Sequence, residues 1–403
     1  MKIIFLSLLR IDDIDTERSI YADLMRKFKS EGHSITIVHP NERRLNIDTQ
    51  FVQKGNVNYL RVKTGNVTKS NFFEKGLATL TLEYHFKRAI SRYLKNEKFD
   101  LILYSTPPIT FDSVIKFLKK ETSAKSYLLL KDIFPQNAVD LGLIKKNSLL
   151  YSFFRRKELN LYRLSDFIGC MTEANVEYVR THNILTNKII EVCPNSIEIR
   201  SSTVKEGNRT EFGLPEDKVI YVYGGNLGKP QGIHFLKEVI LKNESSNRSY
   251  ICIVGSGTEY SGLQKFFMEN NIKNSRLIKQ LSKENFDKLI NLCDVGLIFL
   301  DPRFTIPNFP SRILSYMEAK LPILAATDTA TDLPKKIQEG QFGLWCQSGD
   351  TVKFLESMEV LNDVKARNFM GMNSYKYLNK YYSVNHSYNT IIKHFEKGEK
   401  DVL

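Results

Sequence analysis

Three segments of this chain carry residue types and spacings suited to holding a polyanion. The first is Asn308-Phe309-Pro310-Ser311-Arg312-Ile313-Leu314-Ser315-Tyr316-Met317-Glu318-Ala319-Lys320-Leu321-Pro322, followed by the apolar run Ile323 to Ala326. Pro, Ser and Arg stand just ahead of an amphipathic turn, as at a helix N-terminus whose free amides attract an anion. Arg312 adds a planar fork that can reach two phosphate oxygens at once. The second is Gly224-Gly225-Asn226-Leu227-Gly228-Lys229-Pro230-Gln231-Gly232, where glycines admit a ligand close to the backbone and Lys229 supplies a compact charge. The third, Gly255-Ser256-Gly257-Thr258-Glu259, places small residues where a strand passes into a helix. A proline helix start or a glycine turn explains any one of them. Their joint occurrence in one half of the chain points to a diphosphate ligand.

For catalysis the residue types point to Asp132, which ends an apolar strand of a parallel sheet, where a carboxylate can orient or deprotonate a hydroxyl. A turn cap before Phe134-Pro135 is the alternative role. Glu173, after the apolar run ending at Met171, is a second candidate. His33, His85, His182 and His234 follow no catalytic pattern and read as surface or packing residues. Cys170, Cys193, Cys252, Cys293 and Cys346 are widely spaced, mostly in apolar runs, with neither metal-ligand spacing nor a disulfide framework.

The elements that position these residues follow from the hydrophobic period. Short apolar runs occur at 3–9, 35–38, 57–62, 101–104, 127–130, 167–171 and 189–192, then at 219–223, 250–254, 276–278, 295–300, 323–326 and 344–346, mostly with helix-length segments between them. Such alternation predicts an α/β chain of two doubly wound units in tandem. The expected divisions are an acceptor-binding domain over 1–200, a nucleotide-binding domain over 201–375, and a helical segment over 376–403 packing back toward the first. The polar stretch from Ile199 to Thr210 has a linker's composition. Residues 365–396 read as a long helical stretch whose Tyr and Phe stripe packs a core. Ligands bind outside the carboxyl ends of strands in such folds, which predicts an active site in a cleft between the units.

The chain has 403 residues, 42% hydrophobic and 26% charged, which excludes collagenous, repetitive and disordered classes. Its formal charge is +13, and the excess is uneven: residues 1–200 hold 32 Lys and Arg against 22 Asp and Glu. Such asymmetry suits a polyanionic partner for the first half, whether an anionic membrane surface, a lipid-linked diphosphate or nucleic acid; a solvated basic surface is the alternative. Tyr151-Ser152-Phe153-Phe154-Arg155-Arg156-Lys157, with Lys145-Lys146 before it, mixes aromatics and cations as interfacial segments do; a helix with one buried aromatic face is the alternative. No apolar run reaches the length of a bilayer span, so membrane association is expected to be peripheral. The N-terminal run stops at Arg10 without a cleavage site and reads as a first core strand.

These motifs resemble glycosyltransferase family 4, in the branch that builds bacterial capsule and O-antigen repeat units, and the layout resembles the GT-B fold of two Rossmann-like domains. Lys131-Asp132-Ile133-Phe134-Pro135-Gln136-Asn137 is similar to the branch's Arg-Asp-Leu-Trp-Pro-Glu-Ser segment, and Thr106-Pro107-Pro108 to its Thr-Pro-Pro loop. Gly225-Asn226-Leu227-Gly228 with Gln231-Gly232 matches its glycine loop, and Pro310-Ser311-Arg312 its Pro-Ser-Lys. The resemblance implies a nucleotide-sugar donor, UDP-linked, on the second domain and a polyprenyl-diphosphate-linked saccharide on the first. It further implies retention of anomeric configuration and a location on the cytoplasmic face of the bacterial membrane. No cofactor or metal is implied, because Arg312 and Lys229 can neutralise the leaving diphosphate, and no Asp-x-Asp stands in a candidate loop.

The departures define the rest of the donor set. Asn226 and Gln231 stand where the family carries Arg and Lys, and Pro307 and Ser315 where it carries two glutamates. The expected donor contacts are then Gly225, Asn226, Lys229, Gln231, Gly257, Asn308, Ser311, Arg312 and Ser315, and the sugar, by analogy, is an N-acetylated amino sugar such as N-acetylfucosamine. A sugar-nucleotide epimerase of the same fold would consume donor with no acceptor. A basic nucleic-acid-binding module would form salt-dependent complexes, and the chain lacks a recognised reader motif; nucleic acid is therefore not the expected partner.

Overall fold

The computed structural model describes residues 1–66, 72–200 and 207–396, apart from the side chains of 72–77, 79 and 80. Residues 201–206 of the expected linker and the last residues of the expected C-terminal segment lie outside them. The chain divides into two compact units, Met1–Glu198 with Val384–Leu403 and Ile199–Ser383.

The first unit is built on strands β1 (Lys2–Leu6), β2 (Ser34–Glu42), β3 (Gln50–Lys54), β4 (Val57–Thr64), β5 (Leu101–Ser105), β6 (Lys125–Leu130), β7 (Phe167–Cys170) and β8 (Ile189–Val192). They form one sheet in the order β3-β4-β2-β1-β5-β6-β7-β8. Every pair is parallel except β3 with β4. Both faces are covered, which is why its inner strands read as unbroken apolar runs. Along β1, Ile3 and Phe5 enter the core shared with Tyr21, Met25 and Phe28, while Ile4 and Leu6 enter the opposite core with Leu82, Phe86 and Phe111.

The second unit holds β9 (Val219–Asn226), β10 (Ser249–Ser256), β11 (Ser275–Lys279), β12 (Val295–Phe299), β13 (Ile323–Thr327) and β14 (Gly343–Gln347). Their order is β11-β10-β9-β12-β13-β14, and all pairs are parallel. The order reverses between β9 and β12, and the crevice outside the carboxyl ends of those two strands is where such a sheet receives a ligand.

Two features add to the expected pattern. The long C-terminal helical stretch is two helices, Val364–Tyr381 and Val384–Ile392, and they belong to different units. The strand β3, Gln50–Lys54, has no counterpart among the expected apolar runs because it is a partly exposed antiparallel edge, polar at three of its five positions. The basic aromatic segment 151–157 lies on the helix Leu149–Leu164, where Lys157 does not face solvent freely: it pairs with Glu83 at 2.9 Å and Asp112 at 2.7 Å. Arg155 is likewise held by Glu158. Leu149, Leu150 and Phe153 in the same helix remain exposed.

Candidate functional site

The glycine segment of the second unit does not begin as a loop. β9 runs through Gly224, Gly225 and Asn226, and β10 runs through Gly255 and Ser256 beside it, with Gly225 paired to Gly255. A Cβ on Gly255 would lie 1.9 Å from the Gly225 carbonyl oxygen, so this pairing exists only without a side chain there. Leu227 N–H donates to the Ser256 carbonyl at 2.8 Å, and Glu259 N–H to the Leu227 carbonyl at 2.9 Å, locking the two strand ends together. Gly257 is glycine for the same reason: a Cβ would meet the Leu227 carbonyl at 2.2 Å.

Past β9 the chain makes a short turn over Lys229–Gln231 and enters the helix Ile233–Asn243 through Gly232, whose φ is +55°. Asp301 N–H donates to the Pro230 carbonyl at 3.0 Å, joining this turn to the segment after β12. The two loops therefore meet at the switch point of the sheet.

Arg312 lies in that meeting place. Its guanidinium carbon is 4.5 Å from the centroid of the Tyr223 ring, near enough for a cation–π contact. Nη2 donates to the Gln231 side-chain carbonyl, which also accepts from the Tyr223 hydroxyl at 3.4 Å. Nη1 is buried with no hydrogen-bond partner among the described residues. A Cβ built on Gly225 would sit 3.5 Å from the Arg312 guanidinium carbon, so the bare, exposed backbone of Gly225 borders the charge. A buried donor on a charged group normally finds an acceptor, and an anion lying over Gly225 is of the right chemistry to supply one.

Tyr316 supports the arrangement from beneath. Its buried hydroxyl accepts the Gly224 N–H at 2.8 Å, and its ring packs where Gly296 leaves room. Burial pushes the Tyr223 and Tyr316 hydroxyls above their ordinary range, while the Arg312 charge draws both down. Neither tyrosine was among the expected site residues, because a buried aromatic within an apolar run reads as core. The signal that could have found Tyr316 is its place one helical turn beyond Arg312.

The other expected donor residues are distributed unevenly. Asn308 accepts the Thr331 hydroxyl on its backbone carbonyl at 2.7 Å and has a buried, unpartnered Nδ2. Ser311 precedes Arg312 and receives the Leu314 N–H on its carbonyl at 3.2 Å. Ser315 is half-buried in the Ile313–Glu318 helix, and Lys229 is exposed. No hydrogen bond among the described residues ties either to Arg312. The Ile313–Glu318 helix has only six residues and no side-chain cap, so its dipole offers an anion little. The open donor at this place is on the guanidinium and not at the helix start. Asn226 is exposed, and its side chain folds beside Gly228 and Gly257.

In the first unit the Thr106-Pro107-Pro108 loop and the Lys131-Asp132 segment come together at the carboxyl ends of β5 and β6. The Thr106 hydroxyl oxygen accepts Lys131 N–H at 2.9 Å and Asp132 N–H at 3.2 Å. Asn137 Nδ2 donates to both Asp132 carboxylate oxygens at 2.8 Å. Burial pushes the Asp132 carboxyl up to about 6, against the lowering effect of Asn137. Burial also brings the neighbouring Lys131 amine down to about 8, and it donates to the Cys193 carbonyl at 2.9 Å. Glu173 is exposed in the first turn of the helix Glu173–His182, which Thr172 caps. The helix dipole favours a carboxylate there.

Comparison with known proteins accords with this geometry. Residues 204–377 match the family described as "Glycosyl transferases group 1". A Pseudomonas aeruginosa protein described as a probable glycosyltransferase, WbjE, is 24% identical over 336 residues, 82% of this chain and 81% of that protein. Among solved structures, sucrose-phosphate synthase from Thermosynechococcus elongatus superposes with a TM-score of 0.75 at 14% identity over 98% of each chain. HepE of Anabaena, solved in complex with UDP and glucose, gives 0.68 at 13% identity, over 98% of this chain and 99% of that one. These likenesses establish the fold as GT-B, two Rossmann-like α/β units.

Proposed function

Since the chain is a glycosyltransferase of the GT-B fold, we propose that its second unit binds the diphosphate of a nucleotide-sugar donor at Arg312. The observation that carries this reading is the buried, unpartnered Nη1 of Arg312 beside the open backbone of Gly225. In this reading Gln231 and Tyr223 fix the guanidinium, Arg312 neutralises the leaving diphosphate, and Lys229 adds charge from the turn before the Ile233–Asn243 helix. Asn226, Gly257, Asn308, Ser311 and Ser315 complete the donor contacts. The nucleotide is UDP, a choice supported by the UDP complex of HepE, and the sugar is an N-acetylated amino sugar, by the resemblance to family 4.

The acceptor is a saccharide on polyprenyl diphosphate, in capsule or O-antigen repeat-unit assembly. Transfer retains anomeric configuration: the acceptor oxygen bonds to the anomeric carbon as its bond to the diphosphate breaks, and the acceptor proton leaves on the departing phosphate oxygen. Asp132 orients the acceptor hydroxyl, with Glu173 the second carboxylate of that side. No metal is needed, because side-chain cations meet the developing charge. The enzyme works peripherally on the cytoplasmic face of the membrane. The exposed Leu149, Leu150 and Phe153 next to Lys145 and Lys146 support that placement, and no helix among the described residues is long and apolar enough to cross a bilayer.

The test is UDP release from a panel of UDP-sugars with a lipid-linked acceptor, preceded by a thermal-shift screen of UDP-, GDP- and dTDP-sugars. Arg312→Ala should abolish release and the UDP-dependent shift while the far-UV circular dichroism stays that of the wild type. Wild-type turnover by the folded Arg312→Ala protein would overturn the reading.

A further inference from the structure

The hydrogen bonds of Asn137 do not balance. Its Nδ2 donates to both carboxylate oxygens of Asp132, each at 2.8 Å, while its Oδ1 is buried with no hydrogen-bond partner among the described residues. Turning the amide over would set its carbonyl against two carboxylate oxygens, so Asp132 fixes the direction of the group. The backbone leaves little room to relax. Asn137 N–H donates to the Ile133 carbonyl at 3.1 Å, and the Thr106 hydroxyl, which accepts the Asp132 N–H at 3.2 Å, lies 3.3 Å from the Asp132 carbonyl oxygen. A buried acceptor left bare in so fixed a place costs stability, and the group beside it that can carry a proton is Asp132.

An ionised carboxylate has no proton to give, whereas the acid form of Asp132 has one. A rotation of the amide then closes a cyclic pair, with the Asp132 O–H on Oδ1 and Nδ2–H on the other carboxyl oxygen, and nothing stays bare. Burial raises this carboxyl to about 6, with Asn137 and then the Ile133 amide drawing it down, so both forms are reached near neutral pH. The charged groups around it are otherwise engaged. The Lys131 amine turns to the Cys193 carbonyl at 2.9 Å. Glu158, on the helix Leu149–Leu164, feels the Asp132 charge, but Arg155 and the Tyr162 hydroxyl, the latter at 2.8 Å, hold it. Among the described residues Asn137 is the one side chain that bonds the carboxylate, and the half-buried Asp132 keeps lone pairs for a further donor.

We propose that Asn137 is a positioning residue for transfer: by donating to both oxygens it aims the Asp132 carboxylate at the acceptor hydroxyl, and by accepting a hydrogen bond from the acid form on Oδ1 it withdraws the carboxyl from the acceptor. The amide thereby reads the proton on Asp132 and makes the ionised form the working one. This deepens the glycosyl-transfer reading and rests on it for the part that Asp132 plays.

The test joins two titrations of the full chain, wild type against Asn137→Leu and Asn137→Ser. One follows the Asp132 carboxyl by NMR in protein carrying 13C at its aspartate carboxyls, the signal being assigned by its loss in Asp132→Asn; the label leaves Glu158 silent. The other is the pH profile of UDP release with donor and lipid-linked acceptor. Removing a donor to the ionised form raises the carboxyl, so in Asn137→Leu both the NMR midpoint and the acid limb of kcat should move up by about one to two pH units, the equivalent of one charged hydrogen bond. The deficit in kcat should narrow as the pH rises, with KM for the donor unchanged. Asn137→Ser keeps one donor and should fall between, and it carries both readouts if Asn137→Leu does not fold. An NMR midpoint or a rate limb that stays at its wild-type place overturns the proposal, and so does a deficit of equal size at every pH. Lost turnover in Asp132→Asn with unmoved limbs in the Asn137 variants sinks the proposal alone. Wild-type turnover by Asp132→Asn sinks the role given to Asp132 in the functional reading, and the proposal with it.

Discussion

The Arg312 guanidinium lies 4.5 Å over the Tyr223 ring and donates to Gln231, so the charge is held between a π face and an amide oxygen. A lysine in its place keeps the charge but loses the planar fork and much of the stacking. Arg312→Lys should therefore weaken UDP binding about a hundredfold, the equivalent of about 2 to 3 kcal/mol from a lost charge-assisted fork. Gln231→Leu, which keeps the arginine and removes its acceptor, should cost about tenfold. Titration of both variants checks this; Arg312→Lys binding UDP as the wild type does would remove the fork from the argument.

The glycines near the donor site differ in what a methyl group would meet. At Gly255 the Gly225 carbonyl oxygen is 1.9 Å from the Cβ position, and no flexible side chain can yield. Gly255→Ala should part the ends of β9 and β10 and lower stability by about 3 kcal/mol or more. Gly262, exposed in the helix Tyr260–Glu269, has nothing within 4 Å, and Gly262→Ala should stabilise by about 0.5 kcal/mol. Denaturant midpoints of the pair decide it; similar values for both would mean the strand ends relax freely.

The sheet could be read from the sequence because its inner strands are buried on both faces, so that Ile3 to Leu6 or Val295 to Phe299 stand out as apolar runs. The edge strand Gln50–Lys54 could not, since exposure leaves it polar. The same limit applies at the site. Arg312 and Gly225 announce themselves by type, whereas the bond that Gln231, an expected donor contact, accepts from the arginine is a matter of side-chain geometry that spacing does not encode. Tyr316 was invisible because its contribution is one hydroxyl on the Gly224 amide, made by a residue otherwise indistinguishable from core. The cations of the first unit were visible only as an excess of charge; which of them share a pocket depends on the packing of Phe72–Tyr93 against β4.

Asp132 should give stability an unusual pH dependence. Burial raises its carboxyl from 3.8 to about 6, so between those values the native state holds the proton more tightly than the unfolded chain. The slope of unfolding free energy with pH is then negative, and stability falls as pH rises from about 4 to about 6, by about 2 to 3 kcal/mol in all. Asp132→Asn cannot ionise, so its stability relative to wild type should grow across that window and level off above pH 7. If the carboxylate orients the acceptor, turnover rises with the ionised form and bends near pH 6, and the variant loses that limb with its rate. Urea unfolding at pH 4.5, 6 and 7.5 checks the first part. A wild-type minus variant difference that is flat with pH would show the carboxyl to be normal.

The helix Val384–Ile392 is part of the first unit's core, although it follows the whole of the second unit in the chain. Its Val384 N–H donates to the Ile197 carbonyl at 2.9 Å, and Ser387 Oγ donates to the Pro194 carbonyl at 3.0 Å. Tyr388 packs edge-on to Phe28 at 5.0 Å and its hydroxyl meets His33 at 3.0 Å. Farther on, His394 stacks on Phe167 at 4.2 Å and bonds Glu191 at 2.7 Å. Ile391 is fully buried among them, so Ile391→Ala should cost about 3 kcal/mol from lost burial and a cavity. Two units need not unfold together, so the readout is hydrogen exchange by segment and not one melting temperature. Exchange should accelerate in the helix Ile20–Ser30 and in β1, which border the site, and stay unchanged in β9 and β12 of the second unit. Equal acceleration in both units would mean that the last helix stabilises the chain as a whole and is no private element of the first sheet.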